Sequence, residues 1–122
     1  MSQRSSDTLA VERWEVQARK GVLELVVLAA LWSGRLYGLE LIRRLESDAQ
    51  LAVPEGTLYP LLSRLRAEGQ VDAEWVEAGH PRKYYRLTPD GRRRVVQMAR
   101  FWRGFATGID AVLQPVLAER RK

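Results

Sequence analysis

Few residues in this chain could do chemistry, and their spacing limits what that chemistry is. The 122 residues include no cysteine and a single histidine, His80. That removes thiolate nucleophiles, disulfide frameworks and any His/Cys zinc site at once. No pair of carboxylates falls on one face beside an activating neighbour, so general acid–base work has no candidate either. The inventory is that of a protein that is not an enzyme and uses no metal or cofactor. What remains is recognition. Lys+Arg number 20 against 15 Asp+Glu, for a formal charge of +5, a balance that favours polyanionic partners such as nucleic acid or an anionic membrane surface.

Three groups of residues could carry recognition. Winding residues 54–69 as a helix at about 100° per residue sets Gly56, Pro60, Ser63 and Ala67 opposite a stripe of Leu58, Leu61, Leu62 and Leu65, with Tyr59 and Arg64 flanking. Small residues let a helix backbone approach a groove floor, while longer neighbours reach phosphates and base edges. The bland alternative is a solvent-facing strip with nothing bound. The second group is His80, Arg82 and Lys83, at or beside the tip of an expected hairpin. Cations there either follow a phosphate backbone or form an ordinary charged turn. His80 as a metal ligand or general base has no partner in view.

The third group is a seam. Val95, Met98, Trp102, Phe105, Ile109, Val112 and Val116 recur in alternating steps of three and four, the spacing that keeps an apolar line facing a partner helix. A homodimer follows, with packing back onto the chain's own domain as the competing explanation. Trp102 and Phe105, with Met98 beside them, either fill a two-fold axis or leave a flat slot for a small aromatic effector. Periodicity leaves both roles open.

The elements that position these groups are set off by Gly and Pro. Residues 1–19 read as an N-terminal extension, partly helical, too charged for a secretory signal. A helix apolar on nearly every side spans about Lys20 to Trp32; a buried strand of that length is unusual. After Tyr37-Gly38 a short helix runs to about Ser47 with Leu39, Leu41, Ile42 and Leu45 inward. A third lies between Pro54 and Gly69, with Pro54 suited to its first position and Pro60 expected within the first regular turn, where a missing N–H costs little. Val71–Val76 and Lys83–Leu87 alternate as a β-hairpin around Ala78-Gly79-His80-Pro81. A last helix starts near Pro89-Asp90, capped by Thr88, and runs toward Leu117, with Pro115 expected to bend or end it near Leu113 or Gln114. The expected fold is mainly α with a small β-hairpin: a winged helix-turn-helix over 20–88 and a long C-terminal dimerisation helix over 89–122. The longest apolar run, Leu25–Trp32, is far short of the ~20 residues that cross a bilayer, so no membrane partner is expected and the cytoplasm is the default location.

Four ordered pieces carry a family resemblance: Lys20-Gly21-Val22-Leu23-Glu24-Leu25-Val26-Val27-Leu28; Tyr37-Gly38; Gly56-Thr57-Leu58-Tyr59-Pro60-Leu61-Leu62-Ser63-Arg64-Leu65 with Glu68-Gly69; and Arg82-Lys83-Tyr84-Tyr85-Arg86-Leu87-Thr88-Pro89-Asp90-Gly91. Over about residues 20–91 the sequence resembles the PadR family of bacterial transcriptional regulators, in its short form with one C-terminal helix. The resemblance implies a homodimer that binds a pseudo-palindromic operator in double-stranded DNA, usually to repress, with release by an aromatic or lipophilic effector in many members. It also implies DNA contacts from Thr57, Tyr59, Ser63 and Arg64 of the recognition helix and Arg82 and Lys83 of the wing, with a phosphate contact from Lys20. Trp102, about three turns past Gly91, would face a pore between subunits. A winged helix that binds protein, a dimeric adaptor without specific DNA binding, is the alternative from another class.

Overall fold

The computed structural model describes residues 5–119; residues 1–4 of the expected extension and 120–122 of the expected last helix lie outside them. The order of elements is α1 (Ser6–Ala30), β1 (Leu36–Tyr37), α2 (Gly38–Ala49), α3 (Glu55–Ala67), β2 (Val71–Val76), β3 (Arg82–Leu87) and α4 (Pro89–Glu119).

Local chemistry explains the boundaries. The Ser5 hydroxyl accepts from the Thr8 N–H at 3.1 Å and caps α1, so the helix begins at Ser6 and passes through Lys20 without a break. The expected start near Lys20 marks only where burial begins. Glu55 is the first residue of α3, and Pro54 stands before it with extended backbone. Pro60 is therefore past the first turn, and its missing N–H leaves the Gly56 carbonyl without a helical donor on a face open to solvent. At the other end Gly69, at φ +74°, allows a reversal in which its N–H donates to Arg66 O (3.0 Å) and that of Gln70 to Leu65 O (2.9 Å). This pairing satisfies carbonyls that a helix end otherwise strands. Thr88 caps α4 as expected: Gly91 N–H donates to its hydroxyl at 3.0 Å, and the hydroxyl donates to Gly69 O at 2.6 Å. Pro115, expected to bend or end the last helix, lies inside it, and α4 continues to Glu119. The stretch around it is exposed, so the orphaned carbonyl one turn back keeps access to water.

The sheet has three antiparallel strands in the order β1-β3-β2, one more than the expected hairpin; two residues are too few to show alternation. Trp75 lies opposite Lys83, and Leu36 and Ala73 lie on either side of Tyr85. The core gathers Val27, Leu28 and Leu31 of α1, Leu41 and Leu45 of α2, Leu58, Leu62 and Leu65 of α3, and Val71, Tyr85 and Leu87 of the sheet. Each such side chain contributes about 1.5–3 kcal/mol on burial. Two expectations change here. Leu39, placed inward by the α2 pattern, is exposed, because it occupies the first turn where the helix faces the wing. Val95 is 4% exposed and belongs to this core, so the first residue of the expected intersubunit seam is occupied within its own chain.

Candidate nucleic-acid interface

Helix α3 buries Leu58, Leu62 and Leu65 and leaves Gly56, Pro60, Ser63 and Ala67 open to solvent. The two flanks of that open strip look in different directions. On one, Thr57 shares a cleft of about 230 Å³ with Lys20, Leu23 and Pro54, which brings Lys20 to the start of the helix. On the other, Tyr59 shares a groove of about 550 Å³ with His80, Arg82 and Lys83 of the wing, and with Tyr37 and Trp75. Tyr59 is seated tightly. A Cβ at Gly38 would lie 2.1 Å from its hydroxyl, so only glycine admits the ring against α2. Burial, helped by the charge of Glu55, raises the phenol above its ordinary pKa, and the hydroxyl stays neutral and able to donate at physiological pH.

The wing arranges its cations on aromatic rings. The Arg82 guanidinium lies 4.5 Å from the Tyr37 ring centre, Tyr37 meets Tyr84 edge-on at 5.5 Å, and Arg35 lies 4.6 Å over Tyr84. The same Arg35 guanidinium donates to Glu74 at 2.8 Å. The result is a ladder of cation, ring, ring and cation across β3 and β1, each cation–π step contributing about 0.5–1 kcal/mol at exposed sites. Lys83 starts from the opposite face of the same strand, with Nζ 5.9 Å from the Tyr85 ring.

Arg64 goes elsewhere. It donates to Glu24 of α1 at 2.7 Å and to Glu68 at 2.9 Å, while Arg94 of α4 donates to Glu68 at 2.8 Å and to Glu24 at 3.4 Å. Hydrogen bonds from Arg94, then from Arg64, hold the Glu68 carboxyl below its ordinary pKa. Thus Tyr59, His80, Arg82 and Lys83 converge, Thr57 and Lys20 form a second group, Ser63 sits on the open strip between them, and Arg64 is engaged by carboxylates away from it.

Residues 27–97 match the Transcriptional regulator PadR-like family. The chain belongs to this family. A solved PadR family transcriptional regulator from Eggerthella lenta is 32% identical, with 90% of this chain and 94% of that one covered and a TM-score of 0.77. A PadR-like transcriptional regulator from Bacillus cereus is 31% identical over 80% of this chain and 97% of the other, with a TM-score of 0.74. An uncharacterized protein of Lysinibacillus sphaericus is 25% identical over 99 residues, 78% of this chain and 91% of its own length. PadR proteins are transcriptional regulators and not enzymes, and the winged-helix architecture is theirs.

Beyond the winged helix, this PadR-family chain leaves much of α4 uncovered. Trp102, 41% exposed, lines a cleft of about 1000 Å³ between α1 and α4 with Val22, Leu25, Val26 and Ala106. It also joins Met98, Phe101 and Phe105 around a second cleft of about 400 Å³. Phe105 lies 6.1 Å from the Trp102 ring and stacks on Phe101 at 5.2 Å. Ile109, Val112 and Val116 continue the exposed apolar line. Sequence reasoning missed Phe101, although its spacing of four from Phe105 was a usable signal. It gave Trp75 no role beyond its place in the β2 alternation; Trp75 is 65% exposed and lines the groove beside Tyr59.

Proposed function

We propose that this PadR-family chain works as a homodimer that binds a pseudo-palindromic operator, represses from it, and lets go when a flat aromatic or lipophilic effector enters beside Trp102. What carries the DNA half is the shared groove: Tyr59 of α3 and His80, Arg82 and Lys83 of the wing stand together beside the open strip of small residues. A helix of that surface enters a major groove while the wing's cations track the adjacent backbone. Thr57, Ser63 and Lys20 add contacts from the other flank. Dimerisation is supported by the apolar side chains of α4 from Trp102 to Val116, which its own chain leaves exposed and which a second copy would cover. Met98, Trp102 and Phe105, already gathered around one cleft, are the side chains that an effector would meet.

The test is selection of duplexes from a random pool on the wild-type chain, followed by binding of the enriched duplex and of a shuffled one at two salt concentrations. Enrichment of an inverted repeat with half-sites about one helical turn apart is expected, with affinity falling as salt rises. Equal affinity for enriched and shuffled duplex would sink the specific-regulator reading and leave the protein-binding adaptor. Quenching of Trp102 fluorescence by a panel of planar aromatic compounds, absent in Trp102→Leu, tests the effector half.

A further inference from the structure

The charges around Arg64 form a closed ring. Glu24 comes from α1, Arg64 from α3, Glu68 from the end of α3 and Arg94 from α4, and each acid accepts from both guanidiniums. Isolated exposed ion pairs contribute only about 0–1 kcal/mol, so stability is a poor account of four charges converging from three helices. Geometry is a better one. One prong of the Arg64 fork reaches Glu24 on α1 at 2.7 Å, the other braces Glu68 at the end of its own helix, and Glu68 accepts from Arg94 of α4 at 2.8 Å, so α3 cannot turn about its axis without losing the two charge-assisted bonds that tie it to α1 and α4. Glu24 and Arg94 are partly shielded, with side-chain exposures of 29% and 35%, which weakens screening by salt between them, while Arg64 and Glu68 are exposed.

We propose that Glu24, Arg64, Glu68 and Arg94 are positioning residues that fix the angle of α3 against α1 and α4, and that Arg64 acts on DNA binding through this ring instead of touching DNA. This rests on α3 being the recognition helix. It gives the helix that bears Trp102 a direct hold on α3, since Arg94 lies on α4 about two turns before that residue.

Binding is measured by fluorescence anisotropy across a salt series, using the duplex enriched on the wild-type chain, with circular dichroism and melting curves to establish that each variant is folded at the assay temperature. Arg94→Gln is expected to weaken binding about threefold to tenfold, as for coupled residues in one network, while keeping the wild-type slope of log affinity against log salt. Arg94→Lys should retain most of the affinity. Glu68→Gln should also weaken binding, although removing a negative charge near a polyanion would by itself strengthen it; Glu24→Gln serves if that variant does not fold. Arg64→Gln should lower affinity without lowering the slope, whereas Arg82→Ala should reduce the slope by about 0.9, the signature of one lost phosphate contact. A slope reduced by that amount in Arg64→Gln, tighter binding by Glu68→Gln, or full affinity in Arg94→Gln overturns the ring's role. A wild-type chain with no preference for any duplex overturns the recognition-helix reading itself, and the inference with it.

Discussion

Single side chains in this protein are held by specific neighbours, and two of them give direct tests. The contact between Gly38 and Tyr59 has no room for a methyl group, with the ring carbon Cζ 2.7 Å and the hydroxyl 2.1 Å from where a Cβ would stand. Gly38→Ala is expected to lower stability by about 1–3 kcal/mol, the usual cost of overpacking, and to displace Tyr59 from the wing groove. Urea unfolding of Gly38→Ala and of Gly38→Ala with Tyr59→Leu checks this, because the second change should recover part of the loss. Glu68 provides a pH test. Its folded-state pKa is lowered, chiefly by Arg94 and then by Arg64, so the folded chain binds that proton less readily than the unfolded chain. Its contribution is complete above the ordinary carboxyl pKa of about 4.3 and fades as pH falls through the lower folded value. Melting temperatures taken from neutral pH down into the acid range should fall less steeply in Glu68→Gln than in the wild type. An identical acid limb in both would mean that Glu68 is not held by the ring.

At the scale of elements, the chain's own caps and turns decide where helices stop. Gln50 closes α2 at φ +55° and ψ +35°, a left-handed conformation that costs a side-chain-bearing residue about 1 kcal/mol. Gln50→Gly should therefore stabilise the chain by about 0.5–1 kcal/mol, read as a higher urea midpoint with an unchanged slope; a lower midpoint would mean that the Gln50 side chain makes contacts worth more than the strain. Legibility also divides at this scale. Helices α2, α3 and α4 could be read because leucine periodicity, Gly69 and Thr88 marked them in the sequence. The first half of α1 could be read only as a partly helical extension and not as one helix continuous with Lys20, since its Leu9, Trp14 and Val16 are exposed and burial, the source of the periodic signal, begins only near Val22. β1 was invisible for a related reason: Leu36 and Tyr37 are a strand only because β3 runs beside them. In the candidate site, Tyr59, His80, Arg82 and Lys83 could be named from residue type and order alone. The capture of Arg64 could not, because Glu24 and Arg94 stand 40 and 30 positions away from it in the chain and are brought together by packing.

For the whole molecule, the uncovered line on α4 sets the expectation. Ile109 is 40% exposed and lies in the middle of that line, past the last contact with the core. Ile109→Asp should leave the secondary structure of the chain intact and convert the proposed dimer to monomer, as measured by sedimentation equilibrium. Binding to a two-half-site duplex should then fall by a factor of about 10² or more, because the linked second contact is lost. A variant that stays dimeric would place the subunit contact elsewhere, with the N-terminal half of α1 as the next surface to probe.

Helix α1 is 25 residues long, a rod of roughly 37 Å at 1.5 Å per residue. Its far half, from Val22 onward, packs against the core, and Glu24 there is held by Arg64 and Arg94; at the opposite end Leu9, Trp14 and Val16 are exposed. Such a rod behaves as a lever with its fulcrum in the core, so a small tilt at the core becomes a large sweep at the tip. Whatever grips the tip gains mechanical advantage over the helices stacked on the fulcrum. A cross-link or bulky label at Leu9 should therefore alter operator affinity from well outside the DNA-facing surface.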